Sequence, residues 1–91
     1  MTIENPHPIH PGLVLSEIYM KEMGLTQQKL SEKTGYSPSA ISKVLNSKTR
    51  MTPDFAVSLE SALGTTAEMW IRIQSEYDLK KEVRKHHNKT K

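Results

Sequence analysis

The sequence predicts an all-α fold of five helices, and three observations lead to that prediction. Strand-like alternation of apolar and polar residues is nearly absent. Glycine, proline, serine and threonine recur at the spacings that begin and end helices. Two of the predicted helices are short and are joined by only three residues, which is typical of a helix-turn-helix. The helices are predicted over about residues 12–23, 27–34, 38–46, 53–63 and 67–84.

The first three helices are bounded by capping residues. Gly24 stands where a C-terminal glycine belongs and ends the first helix. Thr26 is placed to cap the second helix, which Gly35 ends. Ser37 precedes Pro38, and a proline is well tolerated at the first helical position because the missing N–H would be unpaired there. The third helix is therefore predicted to begin at residue 38.

The fourth and fifth helices are bounded in the same way. The segment Thr52–Asp54 repeats the cap followed by proline. Its aspartate adds a negative charge beside the positive end of the helix dipole, which stabilises the helix. Gly64 ends the fourth helix. Thr65 would cap the fifth helix as a capping box with Glu68, but Thr66 is an equally suitable cap, and the sequence leaves both open.

The fifth helix carries an apolar stripe and two apolar residues outside it. Trp70, Ile73 and Tyr77 lie within a narrow arc at helical spacing. This spacing favours core packing over an aromatic platform for single-stranded nucleic acid. Ile71 and Leu79 lie off the arc, so they are either tolerated at the surface or part of a partner surface.

Composition restricts the class of protein. The 91 residues suffice for one small domain, and the absence of cysteine excludes disulfides and thiolate metal sites. No apolar run approaches the ~20 residues that span a bilayer. Residues 1–12 lack the basic and apolar regions of a signal peptide. We expect a cytoplasmic protein without membrane contact, with an extended lead-in (residues 1–11), a helix-turn-helix domain (12–79) and a basic, partly disordered tail (80–91).

The formal charge of +3 is unevenly distributed. Residues 1–77 carry −1, whereas residues 78–91 carry +4. Within the first part, residues 33–53 contain no acidic residue and four basic ones. Phosphate attraction requires local positive charge without carboxylates to cancel it, so this segment indicates a nucleic-acid partner.

The predicted third helix has an apolar face and a polar face. Ser39, Lys43 and Asn46 fall on the polar face, opposite the residues expected to pack. Serine binds base edges of either kind, and lysine reaches the guanine acceptors of the major groove. The spacing therefore predicts a helix that enters a DNA groove.

Three residues outside that face are predicted to contact the DNA backbone. Gln27 lies at the start of the second helix, where exposed N–H groups suit a phosphate. Lys48 and Arg50 follow the third helix and are expected to reach the phosphates that flank the groove.

Three stretches of the chain resemble a known family. The segment LTQQKLSEKTGYS at residues 25–37, continued by ISKVLNSK at 41–48, resembles the helix-turn-helix of phage repressor and Cro proteins. Two flanking motifs narrow the resemblance: HPG at residues 10–12, and GTTAEMWIRIQ at 64–74 followed by YDL. Together they make the chain similar to the HigA antitoxins of bacterial toxin–antitoxin modules. The similarity extends over about residues 9–80.

The resemblance implies a fold and a set of partners. The fold is that of lambda repressor, and the protein is a homodimer that binds a palindromic, double-stranded operator in its own promoter. Its protein partner is a HigB toxin, a RelE-like mRNA nuclease, which it neutralises. Carried over by position, the base-facing residues are Ser37, Ser39, Ala40 and Lys43, and the backbone contacts are Gln27, Asn46 and Lys48.

Three positions depart from the family pattern. Ser31 stands where alanine is usual, so its hydroxyl must find a hydrogen-bond partner. Ser47 replaces a glycine, and it is strained if that position requires positive φ, unless Asn46 takes that conformation instead. Pro38 removes an amide near the groove.

Two other functions compete with the repressor–antitoxin hypothesis. The chain could be a protein-interaction module that does not read DNA, or a DNA-binding regulator without a toxin. An enzyme is not indicated, because the glycines stand singly, the histidines lie near opposite ends of the chain, and no spacing suggests a catalytic triad. We expect no metal or other cofactor.

Overall fold

A computed structural model describes residues 8–89, with side chains for residues 8–86. All regular structure in that range is helical, as predicted. Helix α1 runs through residues 11–23 in three consecutive pieces, Pro11–Val14, Leu15–Met20 and Lys21–Met23. Helices α2 to α5 are Gln27–Thr34, Pro38–Leu45, Pro53–Leu63 and Ala67–Lys89. Most of the predicted lead-in and the last two residues of the predicted tail lie outside the described residues.

Helix α1 contains a π-helical stretch that the sequence did not predict. Six residues, Leu15–Met20, form this wider helix between two α-helical ends. Both ends of the stretch are buried in the core. The helix ends at Gly24, as predicted, with a φ of 65° that a side chain would strain.

The caps of the other helices follow the sequence prediction. The hydroxyl oxygens of Thr26, Ser37 and Thr52 each accept a hydrogen bond from the backbone N–H three residues later. For α5, the structure decides between the two threonines. Thr66 Oγ1 accepts from the N–H of Met69 at 3.2 Å and is the cap. Thr65 Oγ1 instead accepts from the indole N–H of Trp70.

Helix α5 extends further than predicted, to Lys89 instead of about residue 84. Glu82 pairs with Lys85 at 3.4 Å and lies 3.9 Å from His86 Nε2, one turn further along. Such pairs stabilise an exposed helix even without an apolar face. No helix within residues 8–89 is both long enough and apolar enough to cross a membrane.

Trp70 of α5 is the largest fully buried side chain of the core, and it packs against α1. Its indole N–H donates to Thr65 Oγ1 at 2.8 Å, and its ring lies 5.4 Å from that of Tyr19. Trp70 is therefore a core residue and not a stacking platform. Tyr77 is half-buried and packs edge-on against the ring of His10, at 4.9 Å between centroids.

Helix α1 packs closely on the C-terminal end of α3 at Gly12. A Cβ atom added to Gly12 would lie 1.8 Å from the carbonyl oxygen of Val44. Only glycine allows this separation, because the obstructing atom belongs to the backbone. The contact therefore determines where the last turn of α3 lies against α1.

Candidate nucleic-acid interface

Local hydrogen bonds determine the turn between α2 and α3, which consists of residues 35–37. Gly35 has a φ of 84° and ends α2. The Ser31 hydroxyl donates to the carbonyl of Tyr36 at 2.5 Å, and the N–H of Tyr36 donates to Thr34 Oγ1 at 3.2 Å. The hydroxyl that the sequence required to be satisfied at Ser31 therefore stabilises the turn.

Tyr36 connects this turn to α4, a contact that sequence analysis missed. Its ring packs edge-on against Phe55 at 4.8 Å, and its hydroxyl donates to the Asp54 carboxylate. That hydrogen bond raises the pKa of Tyr36 above its ordinary value of 10.0, because the carboxylate favours the protonated phenol. The turn before α3 is thus attached to the first turn of α4.

The predicted base-facing residues lie together on one surface. Ser39 and Lys43 are exposed, and Ala40 is half-buried beside them. The oxygen of Ser37 accepts from the N–H of Ala40 at 3.1 Å, so this hydroxyl caps α3 and still has its own hydrogen to donate. These four residues, together with Arg50, line a surface groove of about 410 Å³.

The residues predicted to contact the DNA backbone are exposed on α2 and at the end of α3. Gln27 is exposed at the first position of α2, and Lys48 is exposed beyond the end of α3. The Asn46 amide donates to the carbonyl of Ser42 at 2.9 Å, so part of this side chain is occupied by capping α3. Ser47 adopts a φ of 61° whereas Asn46 stays at −96°, so the strain foreseen for the serine is present.

We define residues 46–52 as the exit loop of α3, and distant side chains bind three consecutive residues of it. The carbonyl of Thr49 accepts from His10 Nε2 at 2.9 Å. The guanidinium of Arg50 donates to both oxygens of Asp78, at 3.1 and 2.9 Å. The N–H of Met51 donates to Gln74 Oε1 at 2.7 Å. The guanidinium expected to contact phosphate is therefore already paired with a carboxylate.

His10 joins the start of α1 to the exit loop. Its Nδ1 accepts from the N–H of Gly12 at 2.8 Å, so Nε2 carries the hydrogen that is donated to Thr49. The side chain is buried, and this burial lowers the pKa of His10 below 6.5. His10 is therefore neutral at physiological pH and serves as both cap and donor.

Gln74 and Asp78 occupy successive turns of α5 beneath the exit loop. Gln74 is 2% exposed, and its Nε2 donates to Asp78 Oδ1 at 3.1 Å. The hydrogen bonds from Arg50 hold the pKa of Asp78 below its ordinary value. Both residues belong to the flanking motif at residues 64–79, in which no spacing predicted a role for either of them. Among residues 8–89, no group of three or more potential metal ligands lies close enough to bind an ion.

Comparison with known proteins identifies sequence relatives over most of the chain. A helix-turn-helix family model matches residues 17–70. Virulence-associated protein I of Dichelobacter nodosus is 39% identical over 72 residues, which cover 79% of this chain and 67% of the relative. Antitoxin HigA-1 of Vibrio cholerae is 33% identical over 72 residues, covering 79% of this chain and 68% of the relative.

Solved structures share the same fold. Antitoxin GraA superimposes with a TM-score of 0.85 at 31% identity, covering 92% of this chain and 90% of that one. Pseudomonas aeruginosa antitoxin HigA, whose structure was solved with the higBA promoter, superimposes with a TM-score of 0.84 at 24% identity, covering 93% and 92%.

Proposed function

The chain belongs to the helix-turn-helix family of HigA-type antitoxins, and from this membership we propose that it is an operator-binding autorepressor and antitoxin. As a homodimer in the cytoplasm, it binds a palindromic operator in its own promoter. It also neutralises a HigB-like mRNA-nuclease toxin. Its activity is binding and not catalysis.

One observation carries the DNA-binding part: the exposed face of α3 presents Ser39 and Lys43 along an open groove. The opposite face of α3 is occupied by the core, where Ile41 is fully buried. Hydroxyl and ammonium groups are suited to the acceptors on base edges in the major groove. No carboxylate occurs in residues 33–53 to repel the phosphates.

A dimer of this chain would place two α3 helices in successive major grooves, roughly 34 Å apart. We place the dimer contact on the shallow groove between α4 and α5. Val57 is 56% exposed there and lines the groove together with Pro53 and Ile71. This arrangement favours the partner-surface explanation for Ile71. A charged residue at Val57 should dissociate the dimer in sedimentation equilibrium, whereas Leu13→Lys on α1 should leave the dimer intact.

The DNA-binding proposal is tested by the affinity for two duplexes, the promoter of the chain's own operon and a scrambled sequence. Lys43→Ala should lower promoter affinity by roughly tenfold or more while affecting the scrambled duplex less, since a base contact discriminates by about 1–3 kcal/mol. Lys21→Ala is the matched control, because that lysine is exposed on α1 and pairs with Glu17 at 3.5 Å. Equal affinity of the wild type for both duplexes would overturn sequence-specific repression.

The antitoxin part is tested by co-expression with the product of the adjacent gene. We expect the two proteins to purify as a complex and the growth defect caused by the toxin to disappear. The apolar groove at Val57 also supports the competing function, a protein-interaction module that does not read DNA. A complex that forms while the chain shifts no promoter duplex would favour that alternative, whereas DNA binding without any complex would indicate a lone regulator.

A further inference from the structure

We propose that Asp78 is a positioning residue for DNA binding, which orients the Arg50 guanidinium towards a backbone phosphate. This inference rests on the proposed function. It concerns a carboxylate on α5, a helix that lies outside the helix-turn-helix. It also assigns a use to the ion pair that occupies Arg50.

The geometry of the pair leaves Arg50 free to bind a second anion. Each Nη atom donates one N–H to Asp78, at 3.1 and 2.9 Å. A guanidinium has five N–H groups, so three remain, one on each Nη and one on Nε. The Arg50 side chain is 65% exposed and lines the same groove as Ser39 and Lys43. The unused donors are therefore accessible at the edge of the proposed DNA surface.

Asp78 is itself fixed to a buried side chain. Gln74, one turn earlier in α5, donates to Asp78 Oδ1 at 3.1 Å and accepts from the N–H of Met51 at 2.7 Å. Met51 directly follows Arg50, so α5 binds both the backbone beside the arginine and its guanidinium. An arginine fixed in this way loses less rotamer freedom when it binds a phosphate than a free one would.

The opposite hypothesis is that Asp78 competes with phosphate for Arg50. It predicts that DNA affinity rises when the carboxylate is removed, because this would free a cation and remove a negative charge from the DNA-binding side. Positioning predicts that DNA binding weakens despite this more favourable charge. The sign of the change therefore separates the two hypotheses.

The experiment measures the affinity for the promoter duplex and its salt dependence for Asp78→Asn. We expect affinity for the promoter duplex to fall roughly threefold to tenfold, which corresponds to the contribution of one hydrogen bond. The slope of log affinity against log salt should become shallower by about one, as for one lost phosphate contact. Glu82→Gln is the matched control, because this acid lies one turn further along α5, near Arg50 but not bonded to it, and its removal should leave affinity unchanged or slightly higher.

Two variants of Arg50 complete the test. In an Arg50→Ala background, Asp78→Asn should cause no further loss of affinity. Arg50→Lys preserves the charge but loses the two-pronged pairing, so it should weaken binding to a similar extent even if Asp78→Asn fails to fold.

The outcomes separate this inference from the proposed function. Tighter or unchanged binding by folded Asp78→Asn, or an equal loss in the Arg50→Ala background, would overturn the positioning role alone. Arg50→Lys with wild-type affinity and salt slope would overturn it as well. Failure of the wild-type chain to prefer its promoter over the scrambled duplex would overturn both proposals.

Discussion

The two connections at either end of α3 are stabilised in different ways. The turn before α3 depends mainly on neighbours, since Ser31 and Thr34 bind Tyr36 from five and two residues away. In the exit loop after α3, the partners of Thr49, Arg50 and Met51 lie 39, 28 and 23 residues away. The start of the proposed recognition helix is thus determined mainly by local bonds, with one contact from Tyr36 to α4, whereas its end is determined by α1 and α5. Substitutions in α1 and α5, far from the DNA surface, should therefore perturb the exit loop more than the turn before α3.

The largest effect is expected for Gly12→Ala, which tests the packing of α1 on the end of α3. The new methyl group would overlap the Val44 carbonyl oxygen, at 1.8 Å, and the helices would have to separate. Overpacking against backbone should lower the free energy of unfolding by roughly 3 kcal/mol. Urea unfolding followed by the fluorescence of the buried Trp70 measures this loss.

Gly24→Ala is the control for that prediction. Gly24 has a φ of 65° and open space around its Cβ position, so alanine there should cost only about 1–2 kcal/mol of backbone strain. A loss at Gly12 no larger than that at Gly24 would show that the contact between α1 and α3 yields more easily than its 1.8 Å separation implies.

The next largest effect compares a distant hydrogen bond with a local one. Gln74→Leu leaves the buried N–H of Met51 without a partner and should cost roughly 1–3 kcal/mol of unfolding free energy. Ser31→Ala removes a local bond in the turn before α3 and should cost only about 0.5–1.5 kcal/mol. Chemical denaturation of both variants measures the difference. A larger loss for Ser31→Ala would reverse the contrast between the two connections.

A smaller effect is expected from pH, because the exit loop depends on neutral His10. Its folded pKa lies below the ordinary 6.5, so the unfolded chain binds a proton more readily. Neutral His10 therefore contributes fully to the free energy of unfolding above pH 6.5. This contribution decreases as the pH falls below 6.5, and the free energy of unfolding levels off below the folded pKa of His10. Thermal unfolding from about pH 7.5 down to about pH 5 should show this decline.

Substitutions of two histidines isolate this effect. His10→Asn should lower stability at neutral pH and flatten the decline, whereas His86→Gln, on the exposed end of α5, should leave the decline unchanged. The Asp78 carboxylate does not interfere, because its lowered pKa affects stability only below about pH 3.8. A decline that persists in His10→Asn would assign the pH dependence to another group.

The same contrast explains which features the sequence could predict. The caps at Thr26 and Ser37 and the polar face of α3 depend on residues within one or two turns, so local spacing was sufficient. The pairing of Arg50 with Asp78 depends on how α5 crosses the exit loop, which a single sequence does not specify. His10 and Gln74 stood in the two flanking motifs, but nothing in either motif indicated that both contact the same loop.

The smallest expected effect tests the strain within the exit loop itself. Ser47 adopts a φ of 61°, which costs a residue with a Cβ about 1–2 kcal/mol. Ser47→Gly should remove that cost but increase the entropy of the unfolded chain by the equivalent of about 0.4–1 kcal/mol, so a net gain of roughly 0.5–1 kcal/mol is expected. Thermal unfolding measures this gain, and Ser47→Ala, which retains the strain, should show no gain.

The same variant tests what positions the exit loop for DNA binding. Because His10, Gln74 and Asp78 bind the loop just after residue 47, promoter affinity should be the same for Ser47→Gly as for the wild type. A loss of affinity in this variant would mean that the conformation of Ser47, and not the distant hydrogen bonds, determines where Lys48 and Arg50 lie.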